Sequence, residues 1–344
     1  MVLRPAWEGP LATPRGHPQR RHGRATINTA SEGLVDAVMP EDPSGMTTPR
    51  VQLPEDLRSG AFTVAHARGR GVTPKRLRGR DLLAPTRGVR QGGGGAVELS
   101  THARAFALAL PPDGAFSHLT AARLLGLPTP TPWPGRDEPL DVMRAKGRPR
   151  VSRAGCVAHR GLETRRVTEV DGLRVVSALD TWGDLAGIWA PDHLLAAADV
   201  LVRRGLSTPL ELLAWAEQRR GRRHVDDLRT VARLARAGAA SPAESRARYV
   251  FWSWGLPEPE LNVPVLGHDG GWLATSDFLW RAQRVVGEYD GDVHRTDRRT
   301  WQKDRERRAA LEDAGYRYVE MTDSTFRQAH HREALRLRLG RLLF

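Results

Sequence analysis

The chain has 344 residues and a formal net charge of +13, enough length for two or three domains and a balance that favours a polyanionic partner such as nucleic acid. Its single cysteine, Cys156, excludes an intrachain disulfide and a cysteine-rich zinc site and suits a reducing cytosol. No apolar run approaches the roughly 18 residues of a membrane span, and the arginine- and proline-rich N-terminus lacks the apolar segment of a secretory signal, so a cytoplasmic protein with no membrane partner is expected. All the basic residues except Lys75, Lys146 and Lys303 are arginine, a bias that codon usage in a GC-rich genome also produces.

Residues 1–57 are rich in Pro, Gly, Arg and Thr without sustained periodicity, so this leader is expected to be disordered. Met46 opens Met-Thr-Thr-Pro-Arg just ahead of the first ordered-looking segment. It is therefore a candidate start of translation, with residues 1–45 then outside the protein.

Residues 58–96 read as a small DNA-binding module. A short helix is expected over Ala61–Ala67, a turn at Gly69–Gly71, and a second helix over Lys75–Arg78 with Thr73 as cap and Pro74 in its first turn. A strand containing Pro85 and Gly88 follows. From Arg68 to Arg90 there are eight Lys or Arg against one acid, Asp81. The pattern resembles a winged helix-turn-helix, which would put Lys75, Arg76, Arg78, Arg80 and Arg87 on DNA; a solvated basic turn beside two small helices is the plainer alternative. The glycines after Gln91 make a flexible loop and no phosphate loop, since no Gly-Lys-Ser/Thr follows.

Residues 97–237 form an α+β middle domain. Helices are expected over Leu99–Leu110, over Ala121–Leu127 with Thr120 as cap, and over Asp180–Leu185, Asp192–Arg203, Pro209–Arg219 and Val225–Ala237; strands are expected over Leu140–Arg144, Gly155–Arg160 and Leu173–Val176. His118 is assigned no chemistry. Arg219–Arg223 is a basic cluster, as compatible with a solvated connection as with nucleic-acid contact, and Gly238–Ala240 marks a domain boundary.

Residues 241–344 carry the chemistry. Ser241-Pro242-Ala243-Glu244 opens a helix as a capping box. Strands over Leu261–Val265, Trp272–Trp280 and Val285–Tyr289 follow, then a helix over Thr296–Ala314, a strand over Tyr316–Met321 and a closing helix over Ser324–Leu343. Alternation puts Val286, Glu288 and Asp290 on one face. The short connection Arg281-Ala282-Gln283 makes the second and third strands hairpin partners, so Asp277, Glu288 and Asp290 should approach within several ångströms. Such clustering is costly unless a cation neutralises it or one acid takes up a proton, and oxygen ligands of this kind suit Mg²⁺ or Mn²⁺.

Ser241 to Glu244, Asp277, the Glu288-Tyr-Asp-Gly291 run, His294, Asp304, Arg307, Leu311 and Gly315 together resemble an uncharacterised family, domain of unknown function 559, related to very-short-patch-repair endonucleases. The resemblance implies a restriction-endonuclease-like, or PD-(D/E)xK, fold in which Asp277 and Glu288 bind Mg²⁺ or Mn²⁺, with the Tyr289 carbonyl as a further ligand. Asp290 stands where that fold family expects lysine. His294 would then serve as general base or orient the water, and Glu244 would hold a second, water-bridged metal. Lys303 is the sole candidate for a relocated lysine, and Asp304 and Arg307 would support His294 or contact phosphate. Phe62–Arg90 is similar to the winged helix of antitoxins from abortive-infection systems, which adds a toxin or a second copy of the chain as expected partners.

The expected fold class is thus α+β multidomain, with an N-terminal winged helix-turn-helix, an α+β middle domain and a C-terminal α/β restriction-endonuclease-like domain with a mixed sheet. The expected function is a DNA-binding, Mg²⁺-dependent endonuclease acting on double-stranded DNA. A non-catalytic antitoxin-like regulator with a vestigial nuclease fold, and a ribonuclease, are the rivals.

Overall fold

The structure is a computed structural model that describes residues 51–92, 98–219, 221, 223–291 and 298–344, except the side chains of 298–304. The leader up to residue 50 and the loop 93–97 lie outside the described residues. Leu53 and Leu57 do not belong to a disordered leader: both are buried in the core of the first module. Two leucines spaced one helical turn apart are enough to dock a short segment, which the average composition of the leader conceals.

That module comprises β1 (Ala61–Thr63), α1 (Val64–Gly69), β2 (Leu82–Leu83) and β3 (Val89–Gly92), in an antiparallel sheet of order β1-β3-β2. The helix expected from Ala61 begins only at Val64, capped by Thr63, which accepts the His66 N–H at 3.1 Å. Pairing with β3 draws Ala61–Thr63 into the sheet and buries Phe62. The second helix is a single 3-10 turn, Arg76–Arg78. Thr73 accepts the Arg76 N–H at 3.2 Å as its sequence position suggests, but the extended Gly79 ends the turn at once. Pro85 and Gly88 lie in the turn between β2 and β3, where Gly88 takes φ +85°.

The middle elements form a five-stranded mixed sheet of order β6-β5-β4-β8-β7. Its strands are β4 (Ala115–Phe116), β5 (Leu140–Arg144), β6 (Cys156–Arg160), β7 (Val167–Val170) and β8 (Leu173–Val176). β4 and β7 were not expected. The signal for β7 was readable, since Asp171 and Gly172 both adopt positive φ in the two-residue turn that joins it to β8. The helices are α2 (Leu99–Ala107), α3 (His118–Leu124), α4 (Ala178–Asp184), α5 (Pro191–Arg203), α6 (Pro209–Glu217) and α7 (Val225–Leu234). Thr120 is no cap: Ser117 holds the cap position of α3, and the Thr120 hydroxyl accepts the Asp141 N–H at 2.8 Å.

The C-terminal sheet has the order β12-β11-β10-β9, with β9 (Glu260–Leu266), β10 (Trp272–Trp280) and β11 (Val285–Asp290) antiparallel and β12 (Arg317–Thr322) parallel to β11. α8 (Pro242–Ser253) precedes β9, and α9 (Arg298–Asp313) lies on the chain between β11 and β12. Phe251, Phe278, Trp280, Val319 and Leu339 fill the layer toward α8 and the last helix, while Val265, Leu279, Val286 and Leu311 fill the layer under α9. The expected closing helix is two, α10 (Asp323–Arg327) and α11 (Ala329–Leu343), because Gln328 is extended and Phe326 stacks on Tyr289.

Gly238–Ala240 separates elements that nonetheless pack together. α8 lies against α5, joined by a buried ion pair between Arg248 and Asp199 at 2.7 Å. The fold is α+β, built from mixed and antiparallel sheets. Among the described residues no helix is long and apolar enough to cross a membrane.

Candidate functional site

The site begins where the β10–β11 ladder stops. Phe278 pairs with Gly287, so one residue further on Asp277 faces Glu288 from the adjacent strand, on the same side of the sheet. Side chains take over the ladder there. The Asp277 carboxylate accepts the Tyr289 N–H at 2.7 Å, and the buried Ser276 hydroxyl donates to the Phe278 carbonyl at 2.7 Å. On the other flank, the pairs Ser276 with Val263 and Phe278 with Leu261 set Asp277 beside Asn262 of β9. β12 extends the row, since Glu320 pairs with Glu288. One polar row, Asn262, Asp277, Glu288 and Glu320, therefore crosses all four strands.

Glu244 reaches this row from the start of α8. Ser241 accepts the Glu244 N–H at 3.2 Å, half of the expected capping box. The reciprocal half goes elsewhere, because the buried Glu244 carboxylate accepts the Ala240 N–H at 2.9 Å and the Asn262 side-chain amide at 2.7 Å. Asn262 sits at φ +50°, a left-handed conformation that asparagine tolerates better than most residues. That strained strand residue turns its amide toward both Glu244 and the Gly238 carbonyl.

Burial, with the Glu244 charge adding to it, raises the Asp277 carboxyl above its ordinary value, against the opposing pull of the Tyr289 N–H and Arg307. Arg307, on α9, approaches the Glu288 carboxylate at 3.5 Å. Tyr318, across from Val286, has its hydroxyl pushed up to about 12, chiefly by burial and then by Glu288.

Of the residues expected at the site, Asp277 and Glu288 come together and Glu244 acts on the first of them. Asp290 continues the same face two residues further on, roughly 7 Å along the strand, beside Thr322. Glu244 is a further acid whose charge bears on Asp277. His294 lies outside the described residues, as do the side chains of Lys303 and Asp304. Among the described residues no three of His, Cys, Asp and Glu converge as a metal-holding group. Two facing carboxylates, one raised by burial and a neighbouring acid, are nevertheless a donor set that Mg²⁺ or Mn²⁺ accepts with water or phosphate oxygens completing the shell; the residues fit such an ion. Arg307 as a partner of Glu288, Asn262 and Glu320 had no local signal, because each depends on the register of the assembled sheet.

The first module places its basic residues unequally. Lys75, Arg78, Arg80 and Arg87 are exposed. Arg76 is not available to DNA: its guanidinium grips both oxygens of Asp81 at 2.7 and 3.0 Å and also bonds the Val51 carbonyl. In the middle domain, Arg219 likewise serves the fold, lying 3.4 Å over the Trp215 ring. His118, assigned no chemistry, takes φ +47° and stacks on His159 at 3.7 Å, which in turn bonds Asp141 at 2.8 Å.

Two relatives are similar to this chain, the Uncharacterized protein Rv2248 of Mycobacterium tuberculosis H37Rv and the Uncharacterized protein MT2308 of strain CDC 1551. Each is 29% identical over 172 residues, which is 50% of this chain and 63% of the relative. The chain thus spans less than two thirds of the length of the curated relatives it matches. No family model matches the chain.

Proposed function

We propose that this protein is a cytoplasmic DNA-binding nuclease whose C-terminal region hydrolyses phosphodiester bonds. The observation that carries this reading is the facing of Asp277 and Glu288 across the broken end of the β10–β11 ladder. These two carboxylates would hold Mg²⁺ or Mn²⁺, which when bound supplies Lewis acidity and a more acidic water. Glu244 and the Tyr289 N–H set the charge and aim of Asp277. Where the resemblance leads one to expect lysine stands Asp290, and Arg307 is the cation beside Glu288; it is suited to bind a phosphoryl oxygen, though unlike lysine it stays protonated and cannot itself take a proton. A restriction-endonuclease-like fold is supported by the order helix, three antiparallel strands, crossover helix and parallel strand. A winged helix is supported by the order β1-β3-β2 and by its exposed Lys75, Arg78, Arg80 and Arg87.

The second reading, a regulator with a vestigial nuclease site, draws on the same Arg307 contact, since a guanidinium already resting on Glu288 weakens it as a metal ligand. Calorimetric titration of the full chain with Mg²⁺ and Mn²⁺, beside plasmid nicking, separates the two. Metal binding and nicking that both vanish in Asp277→Asn support the nuclease; a wild-type protein that binds duplex but neither metal supports the regulator. A toxin or a second copy of the chain as partner belongs to that second reading.

A further inference from the structure

The segment joining β5 to β6 carries positive charge that the fold does not consume. The two strands are parallel and in register from Leu140 with Cys156 to Arg144 with Arg160. Residues 145–155 must therefore run back along the sheet before β6 can begin, and they do so as a loop, without a helix. From Arg144 to Arg160 the sequence has six Lys or Arg and no Asp or Glu.

Three of the six hold the loop in place. Arg144 bonds the Pro149 carbonyl at 2.8 Å and the Asp113 carboxylate at 2.6 Å. Arg150 bonds the Ala158 carbonyl at 2.9 Å, and Val151 packs beneath on the apolar face of the sheet. Arg153 crosses to the first module, donating to the Arg87 carbonyl at 2.6 Å and to the Thr86 hydroxyl at 3.2 Å. The other three, Lys146, Arg148 and Arg160, are exposed. The acids that meet this loop are Asp113, shared by Arg144 and Arg148, and Glu163, which accepts the Lys146 backbone N–H at 3.1 Å.

Arg153 thus ties a basic crossover of the middle domain to the turn that carries Arg87. The segment of the first module expected as its second helix is a single 3-10 turn, Arg76–Arg78, and its Arg76 is committed to Asp81. We infer that the β5–β6 crossover and the β2–β3 turn form one phosphate-binding surface, which holds duplex nucleic acid by its backbone and adds affinity without reading bases. A row of cations with few matching acids suits the repeating charge of a phosphate backbone, and such contacts position a duplex instead of selecting a sequence. The inference rests on the DNA-binding reading above and adds to it a second contact region.

The test uses the full chain and a short random-sequence duplex, followed by fluorescence anisotropy over a salt series. The Lys146→Ala/Arg148→Ala/Arg160→Ala variant should bind more weakly, with a salt slope shallower by about 2 to 3, at roughly 0.9 for each phosphate left without its cation. Arg144 and Arg153 are left in place so that the loop keeps its fold, checked by circular dichroism. If the triple variant keeps wild-type affinity and slope while Arg78→Ala/Arg80→Ala binds more weakly, the crossover surface is overturned and the DNA-binding reading stands. A wild-type protein that binds no duplex overturns both, and binding to phosphatidylserine vesicles in place of duplex would reassign the surface to membrane lipid.

Discussion

Arg248 of α8 donates to Asp199 of α5 at 2.7 Å, and each side chain is only 3% exposed. Burial lowers the guanidinium and raises the carboxyl from their ordinary values, and each partner's charge opposes that drift in the other. Asp199 also accepts the Arg236 N–H at 2.9 Å, and Arg248 bonds the Leu234 carbonyl, so one pair ties α5, α7 and α8. Glu244 lies one turn before Arg248 on the same helix. The middle domain therefore sets the helix that presents an acid to the candidate site.

Removing one member of this pair strands a charge in the interior. Arg248→Ala is expected to cost about 3–5 kcal/mol, read as a lower midpoint in denaturant unfolding. A cost within about 1 kcal/mol would mean that solvent reaches Asp199.

Asp277→Asn should abolish nicking, by more than the roughly 100-fold that outer-shell changes at metal sites cost, without loss of fold. The amide oxygen can still accept the Tyr289 N–H. The sign of the stability change follows from the raised carboxyl. The folded state holds the proton more tightly than the unfolded one, so stability falls as pH rises from about 3.8 through the raised value, and the charged form is a net cost at neutral pH. In metal-free neutral buffer the variant should therefore melt no lower than wild type, and a clearly lower melting temperature would contradict the burial assigned to Asp277.

Under the proposed nuclease function, Arg307→Ala should separate phosphoryl binding from metal binding. Turnover should fall by about 100-fold, the scale for losing one charge-stabilising donor, while metal affinity stays level or rises as Glu288 is released. Calorimetry that instead shows weaker metal binding would make Arg307 a positioning residue for Glu288.

His118 should give the protein an acid-sensitive stability. Burial first, then the facing His159 and Arg165, lower its pKa from 6.5, with Asp184 and Asp141 opposing. The unfolded chain then takes up the proton more readily, so this contribution is complete above pH 6.5 and is lost as pH falls through the lower, folded value. His118→Gln should flatten the fall in melting temperature on the acid side of pH 6.5, and an unchanged profile would place the sensitivity elsewhere.

Much of the site was legible in the sequence because it rests on local patterns. Trp272–Trp280 has the bounds expected, Val285–Asp290 runs one residue further, and their pairing as a hairpin puts Asp277 against Glu288. What escaped depends on distant partners. No propensity says that Asn262 will sit at φ +50° to hold Glu244, or that Thr63 will end a strand before capping a helix. Arg76 looks like a DNA contact because charge and position suggest it, whereas a bidentate grip on Asp81 is visible only once the 3-10 turn has closed. In the middle domain the acid-free basic run from Arg144 to Arg160 is visible in the sequence, whereas the contact of Arg153 with the turn that carries Arg87 depends on the assembled fold.

The placement of α9 between β11 and β12 bears on assembly. A hairpin such as β10–β11 closes over a short loop, but a parallel partner must wait until its long connection is laid down. Asp277 and Glu288 lie on the two strands of that hairpin, while Arg307, carried on the long connection, reaches Glu288 at 3.5 Å. The anionic half of the site thus rests on pairing that is local in the sequence, and its cationic half on the longer connection through α9.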